Sequence, residues 1–310
     1  MNPKEEQTVS GSQVPRVTGL LVIEVRKSNP NGDPERESSP RQRPDGKGEI
    51  SPVSIKRKLR DLVEKADGQD SLVWSKLKEN QDLKLGPDAD NRFGILESRG
   101  RKRDEIKKLL ESDFKKFQDT YWDARLFGNT FLEEGGKDTI RAGVAHFGVG
   151  VSIAPIEIEF QTWTNKSGVE EGKDRGMAPM SFRVVKHGLY TVPFFVNPSQ
   201  ARKTGCTLAD VQVMLHLLKH AYPHTRSVIR TEVEVIYAHV LQHKDPLGSF
   251  SDFAFLDALA PKRVPDKTKP SEALKPDYEI PTWYDIKDKP VREGKPTKWN
   301  EVGTYADYAL

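Results

Sequence analysis

The sequence predicts an α+β fold of order β-α-β-β-α-β with two insertions, and three observations carry that expectation. Short, apolar, β-branched runs recur at Val17–Val25, 143–160, 182–196 and Val233–Leu241. Two patterns of helical period stand between them, at 52–66 and 207–218. Two polar stretches, 67–120 and 165–181, interrupt the apolar pattern without adding to it.

At 310 residues the chain can bury a real core, as one large domain or two. Hydrophobic residues are 35% and charged residues 31%, and 49 Lys and Arg face 46 Asp and Glu for a net charge of +3. A surface for a polyanion must therefore come from segregated charge. The single cysteine, Cys206, excludes an internal disulfide framework and suits a reducing, cytoplasmic setting, where it packs as a small buried residue. No apolar run approaches the roughly 18 residues of a membrane span. Residues 1–16 are polar and read as a disordered lead-in.

Val17-Thr-Gly-Leu-Leu-Val-Ile-Glu-Val25 ends at a turn-rich loop and reads as a buried strand. In the helix that follows, Ser51 suits the N-cap and Pro52 the first helical position. Ile55, Leu59, Leu62 and Ala66 share one face; Lys56, Arg57 and Arg60 lie on another, and Lys58 points elsewhere. Residues 67–120 are rich in Lys, Glu and Asp and read as a helical excursion, with 101–118 as one mixed-charge helix offering a solvated face. Alternation over 140–164 marks strands, a polar stretch at 165–181 interrupts them, and strand character resumes at Phe182–Val185 and Leu189–Val196. Thr207-Leu-Ala-Asp210 opens a second helix in the manner of a capping box. Val233–Leu241 is the last core strand, and the Pro- and Lys-rich extension 261–310 carries a possible final strand at Tyr278–Tyr284. Without its insertions the order is that of the ferredoxin-like βαββαβ fold, which RRM-type RNA binders share.

The loop Asn29-Pro-Asn-Gly-Asp-Pro34, continuing through Pro40-Arg41 and Gly46-Lys-Gly48, feeds a helix with four cations in five residues. Lys56, Arg57 and Arg60 can converge on successive phosphates, with Ser54 one turn nearer the N-terminus as a hydroxyl donor. An ordinary solvated basic face is the competing reading. Arg41 either clamps phosphate or pairs with Asp33 or Asp45.

These residues resemble the Cas-seven family, the backbone subunits of type I CRISPR Cascade complexes, closest to the I-C and I-B forms. The resemblance rests on Asn29–Pro34, Pro40-Arg41, Ser54–Arg60, Asp123-Ala-Arg-Leu-Phe-Gly128, Gly143-Val-Ala-His-Phe-Gly148 with Ser152, and Met177 ahead of Val184. It continues through His187-Gly-Leu-Tyr190, Thr204-Gly205, Arg226-Ser227 and His243-Lys-Asp-Pro-Leu-Gly248, over about 17–285. It implies an RRM-like palm (17–66 and 121–260), a helical finger (67–120) and a thumb (162–183) within the palm. It also implies copies stacked along a CRISPR RNA in a helical filament with other Cascade subunits, the guide bases left open to target DNA. Members of this type carry no catalytic role. The family often has Gln where His146 stands and Arg where Val151 stands, so a contact there differs.

Met177, in Asp174-Arg-Gly-Met177, suits a wedge between bases with Arg175 beside it, or a residue packed on its own loop. Asp174 raises an alternative: an RNA endonuclease filament subunit of the type III kind, for which one acid without a cluster is thin support. A single-copy RRM-like RNA binder is a third reading. Phe147 belongs to the core or stacks a base; alternation favours the core and turns His146 to the opposite side. Ser152 is carried as an RNA contact with His146. His216, His220 and His224 recur at helical spacing without the Glu and third ligand of a zinc site, so a polar helix face is expected and no metal or cofactor.

Overall fold

The computed structural model describes residues 14–100, 102–128, 142–166, 177–264, 268–292 and 296–309. In chain order the main elements are β1 (Val17–Ser28), β2 (Lys47–Ile50), α1 (Pro52–Val63), α2 (Leu72–Glu79), α3 (Arg103–Ser112), α4 (Phe114–Thr120) and α5 (Trp122–Phe127). Then come β3 (Gly150–Pro155), β4 (Ile158–Lys166), β5 (Met177–Val196), α6 (Leu208–Leu217), β6 (Val233–His243), α7 (Asp252–Leu259) and β7 (Gly303–Asp307). The chain divides into two compact units: one of Val17–Leu62, Phe147–Phe195 and His216–Leu310, the other of Met1–Arg16, Val63–His146 and Val196–Leu215.

The first unit is built on one large sheet, ordered β7–β6–β1–β5–β3–β2, with β4 paired to β5 outside that path. The strands β1 and β6 run antiparallel from Val17 opposite Gln242 to Val25 opposite Val233. Both faces of β1 are buried, which is why its sequence is a continuous apolar run rather than an alternation. On the odd-numbered face a Cβ at Gly19 would stand 2.1 Å from the Phe194 ring, so the aromatic ring occupies the place of a side chain.

The even-numbered face is roofed by the C-terminal part of the chain. Leu20 packs with Leu241, Phe255, Leu259, Ile286, Trp299 and Val302. Val22 packs with Ala154, Leu189 and Tyr278. Polar clamps fasten the roof at two points. Thr18 Oγ1 donates to Asp252 at 2.5 Å and lies 3.0 Å from His243 Nε2. His187 bridges Glu24 (3.3 Å) and Ser271 (2.8 Å). Burial pushes the Glu24 carboxyl up, yet the bonds from His187 and Arg26 outweigh it and hold the group below its usual value. The final strand lies at 303–307 on the edge of β6, from Gly303 opposite His243 to Asp307 opposite His239. Around 278 only Tyr278–Glu279 forms a strand, paired with Lys262–Arg263.

The described strands reach into the 165–181 stretch from both sides, to Lys166 and from Met177; residues 167–176 lie outside the described residues. The pair β4–β5 runs antiparallel from Ile158 opposite Val185 to Lys166 opposite Met177. Cross-strand backbone bonds carry the ribbon past the last apolar residue, something a periodicity argument does not register. Likewise α1 ends at Val63, one turn short of Ala66, which lies in a tight turn closed by Asp67 and Gly68 at positive φ.

In the second unit the stretch expected as one helix is two, α3 and α4, broken at Asp113, whose side chain caps the second by accepting from Lys116 N at 2.9 Å. Its apolar residues are core: Ile106, Leu110, Phe117, Leu96 and Ala124 cluster together. Arg125 on α5 is fully buried. It donates to Asp210 at 2.7 and 3.1 Å and to the carbonyls of Gln118 (2.7 Å), Asp119 (2.8 Å) and Arg92 (2.7 Å). The Asp210 carboxylate also accepts from Thr207 N at 2.7 Å and closes the expected capping box with Thr207 Oγ1.

Candidate nucleic-acid interface

The start of α1 is tied to the loop before it. Ser51 accepts from Ser54 N at 3.2 Å as N-cap, and its own N–H donates to Asn31 Oδ1 at 2.6 Å. Asn29, fully buried, donates to the Ser38 carbonyl at 2.7 Å, so the Asn-Pro-Asn-Gly turn anchors the loop 29–41 rather than facing solvent. Arg41 projects from this loop, 3.8 Å from Asp33, while Asp45 pairs with Arg43.

Along α1, Ile55, Leu59 and Leu62 are buried as their spacing requires. The cations divide differently from the helical-wheel expectation. Lys56 is half-buried, and burial, then Arg60, lowers its pKa. Arg57 is half-buried and reaches down one turn to Asp61, 2.7 Å from Nε. Arg60 is 8% exposed and Lys58 4%, because a second part of the chain, 221–230, covers Lys58: its ammonium meets Thr225 Oγ1 at 2.8 Å and the Tyr222 ring at 4.6 Å. Lys56, Arg57 and Arg41 are therefore the half-exposed cations of the helix and its loop, with the Ser54 hydroxyl half-exposed as well, whereas Arg60 is buried.

Ser152 is buried; its hydroxyl accepts from Gly48 N at 2.8 Å and donates to the Ala154 carbonyl at 2.6 Å. That pair of bonds fixes β2 to β3 and takes the hydroxyl away from any surface. Phe147 is core, stacked on Phe194 at 5.4 Å, and His146 is exposed. Met177 opens β5, with its side chain outside the described residues, where Arg175 and Asp174 also lie. Among the described residues no group of His, Cys, Asp and Glu is placed to hold a metal. His220 and His224 meet edge to face at 5.3 Å, and burial first, then His224, lowers the His220 pKa. No described helix is long and apolar enough to cross a membrane.

Sequence reasoning passed over the aromatic base of the β4–β5 ribbon. Phe160 is 69% exposed under the Arg183 guanidinium, 5.0 Å from its ring centroid. Arg183 also bonds Glu37 (2.7 Å) and Ser39 (3.1 Å), which brings the ribbon to the 29–41 loop. Trp163 lies against Phe182 at 5.0 Å. The alternation over 158–164 contains Phe160 and Trp163, but that Arg183 and Phe182 lie against them follows only from the β4–β5 pairing.

Fold and site together define a mixed α/β protein with a large antiparallel sheet, a cationic helix edge and a long aromatic ribbon. The chain belongs to the CRISPR-associated protein Cas7 family, whose model matches residues 15–282. A CRISPR-associated protein Cas7 of Haloferax volcanii is 27% identical over 211 residues, 62% of this chain, and the match spans 60% of that relative's length. Among solved structures, a chain of a CRISPR RNA-guided surveillance complex in a pre-nicking state aligns over 74% of this chain and 79% of its own, with TM-score 0.45 and 15% identity. A second such complex aligns over 74% and 70%, with TM-score 0.42 and 14% identity. A type III-B Cmr-beta complex bound to cognate target RNA aligns over 74% and 61%, with TM-score 0.38 and 12% identity.

Proposed function

We propose that this chain is a non-catalytic CRISPR RNA-binding subunit that oligomerises into the helical backbone of a type I Cascade surveillance complex. Family membership over 15–282 is the observation that carries the reading. The strand order β6–β1–β5–β3, with α1 and α6 as crossovers, supports a βαββαβ RRM-like palm. The helices of 67–120 are read as the finger and residues 162–183, which include part of the β4–β5 ribbon, as the thumb, with Met177 and Arg175 carried as its RNA contacts.

On this reading the guide backbone runs along Arg41, Ser54, Lys56 and Arg57, and His146 is carried as a separate RNA contact. One face of the sheet is covered by the C-terminal roof, which supports a grip on backbone phosphates in which every guide sequence is acceptable. Guide bases then stay free to pair with target DNA.

Electron micrographs and sedimentation of the protein with guide RNAs of several lengths test this. Oligomers whose length scales with the RNA are expected; a single protein per RNA at every length would sink the filament. Incubating RNA with magnesium or manganese checks the non-catalytic role, and cleavage lost in Asp174→Ala would replace it with an endonuclease.

A further inference from the structure

The large sheet ends on β7, beside β6, and among the described residues no strand pairs with its far side. Backbone bonds alternate along an antiparallel pair, so every second residue turns its N–H and C=O to the neighbour and the rest turn theirs away. Tyr308 N donates to the Ala238 carbonyl at 3.1 Å, in the register that sets Ala306 opposite Val240 and Thr304 opposite Gln242. That phase gives the backbone groups of Thr304 and Ala306 to β6 and leaves those of Gly303, Tyr305 and Asp307 on the open edge.

Exposed edges are ordinarily blunted by proline, lysine or an outward charge. Gly303-Thr-Tyr-Ala-Asp307 carries neither proline nor lysine, and its one charge is turned back to the chain: Asp307 Oδ1 accepts from Ala238 N at 2.9 Å and from Ala309 N at 3.0 Å. Beside this edge a cavity of about 250 Å³ is lined by His216, Lys219, Ala306, Asp307 and Tyr308, all within the first unit. His216 meets the Tyr308 ring edge to face at 5.1 Å. In an added strand, the residue opposite Ala306 presents its side chain on Ala306's face, toward this cavity. The Lys219 ammonium and the His216 imidazole suit a carboxylate there. The strand β7 lies beyond residues 15–282, the span of the family match.

We propose that the outer edge of β7 and this cavity form a docking site for an extended segment of a partner protein, added antiparallel to β7 with an acidic side chain opposite Ala306. None of its residues is among those read as RNA contacts, and the site does not rest on the RNA reading.

Fluorescence anisotropy of the full chain with the fluorescein-labelled peptide Ser-Val-Thr-Glu-Thr-Val-Ser-amide tests it. Saturable binding is expected. Gln in place of the peptide's Glu, and Lys219→Glu in the protein, are each expected to weaken binding about tenfold, the loss of one charge-assisted contact. N-methylation of the two threonines flanking the Glu removes the N–H groups that pair with Tyr305 and Asp307, and is expected to abolish binding. Both altered peptides leave the protein itself unchanged, so misfolding cannot account for their effects. No binding of the parent peptide overturns the proposal, as does binding kept by the N-methylated peptide, by the Gln peptide or by Lys219→Glu. Dimers of the protein alone that the peptide dissociates in sedimentation would place a second copy on the edge, and also overturn it.

Discussion

Replacing Arg125 should be among the most damaging single changes in this chain. All its donor directions are used: two to Asp210 and three to main-chain carbonyls, with both side chains of the ion pair at most 1% exposed. Arg125→Met leaves Asp210 charged and buried, which costs about 3–5 kcal/mol for breaking one side of such a pair. It also strips the carbonyls of Arg92, Gln118 and Asp119, at about 1–3 kcal/mol for each that water cannot reach. The sum, about 5 kcal/mol or more, approaches the whole stability of an ordinary domain. Arg125→Lys keeps the charge but cannot reproduce the fork, and is expected to cost about 2–4 kcal/mol. Urea titration followed by tryptophan fluorescence is the assay, because Trp122 sits in the same unit and donates to the Asp210 carbonyl at 3.1 Å. In a double-mutant cycle, Arg125→Met with Asp210→Asn should be less destabilised than the sum of the singles by about 2 kcal/mol or more. An Arg125→Lys variant within 1 kcal/mol of the parent (about a fivefold change in the folding constant), or strictly additive mutants, would refute the argument.

Lys58→Met should stabilise the protein in chloride at pH 7. The gap between about 8 folded and 10.5 unfolded corresponds to about 3 kcal/mol, less about 1–2 kcal/mol for the Thr225 bond and the Tyr222 contact. The unfolded chain holds more protons between those two values, so parental stability rises with pH across that window; the variant, followed by denaturant midpoints at pH 7 to 9.5, should lack the rise. Lys56→Ala with Arg57→Ala should weaken RNA binding across sequences and reduce the salt slope by about 1–2, read by fluorescence anisotropy at several salt concentrations; an unchanged slope removes α1 from the interface. Gly143→Ala should destabilise by about 2 kcal/mol or more in denaturant titrations, since its Cβ would stand 2.3 Å from Gly128 N and the Phe127 carbonyl carbon. His239, held neutral by burial at about 4 against Asp307's opposing pull, should make stability fall from pH 6.5 toward 4, at up to about 1.4 kcal/mol per pH unit, and His239→Asn should flatten that limb of the curve.

Local rules carried much of this fold. The Ser51 cap, the Ile55–Leu59–Leu62 face and the Thr207–Asp210 box depend on residues within a turn of one another, so spacing alone reveals them. Whatever depends on distant segments was hidden. Spacing turns Lys58 off the basic face but does not reveal its cover from 221–225, and it does not reveal the burial of Arg125, whose carboxylate is 85 residues away. Ser152 read as a surface hydroxyl because its donor, Gly48, lies 104 residues upstream. The β4–β5 ribbon was cut short in the reading because polar strand residues carry no hydrophobic period, while backbone pairing does not depend on side-chain polarity. Of the candidate interface, the basic helix and its loop were legible; which cations stay accessible was not.

The central strand of the sheet is also the first made. Thr18 must wait for His243, 225 residues later, and the roof over β1 is longer still in arriving. At ribosomal speeds of about 5–20 residues per second, β1 spends about 10–45 s without its antiparallel neighbour. Until β5 arrives with Met177–Val196 an almost wholly apolar strand has neither sheet neighbour, and one of its edges stays open until β6 is made. The nascent chain is thus a natural client for chaperones that shield exposed strands.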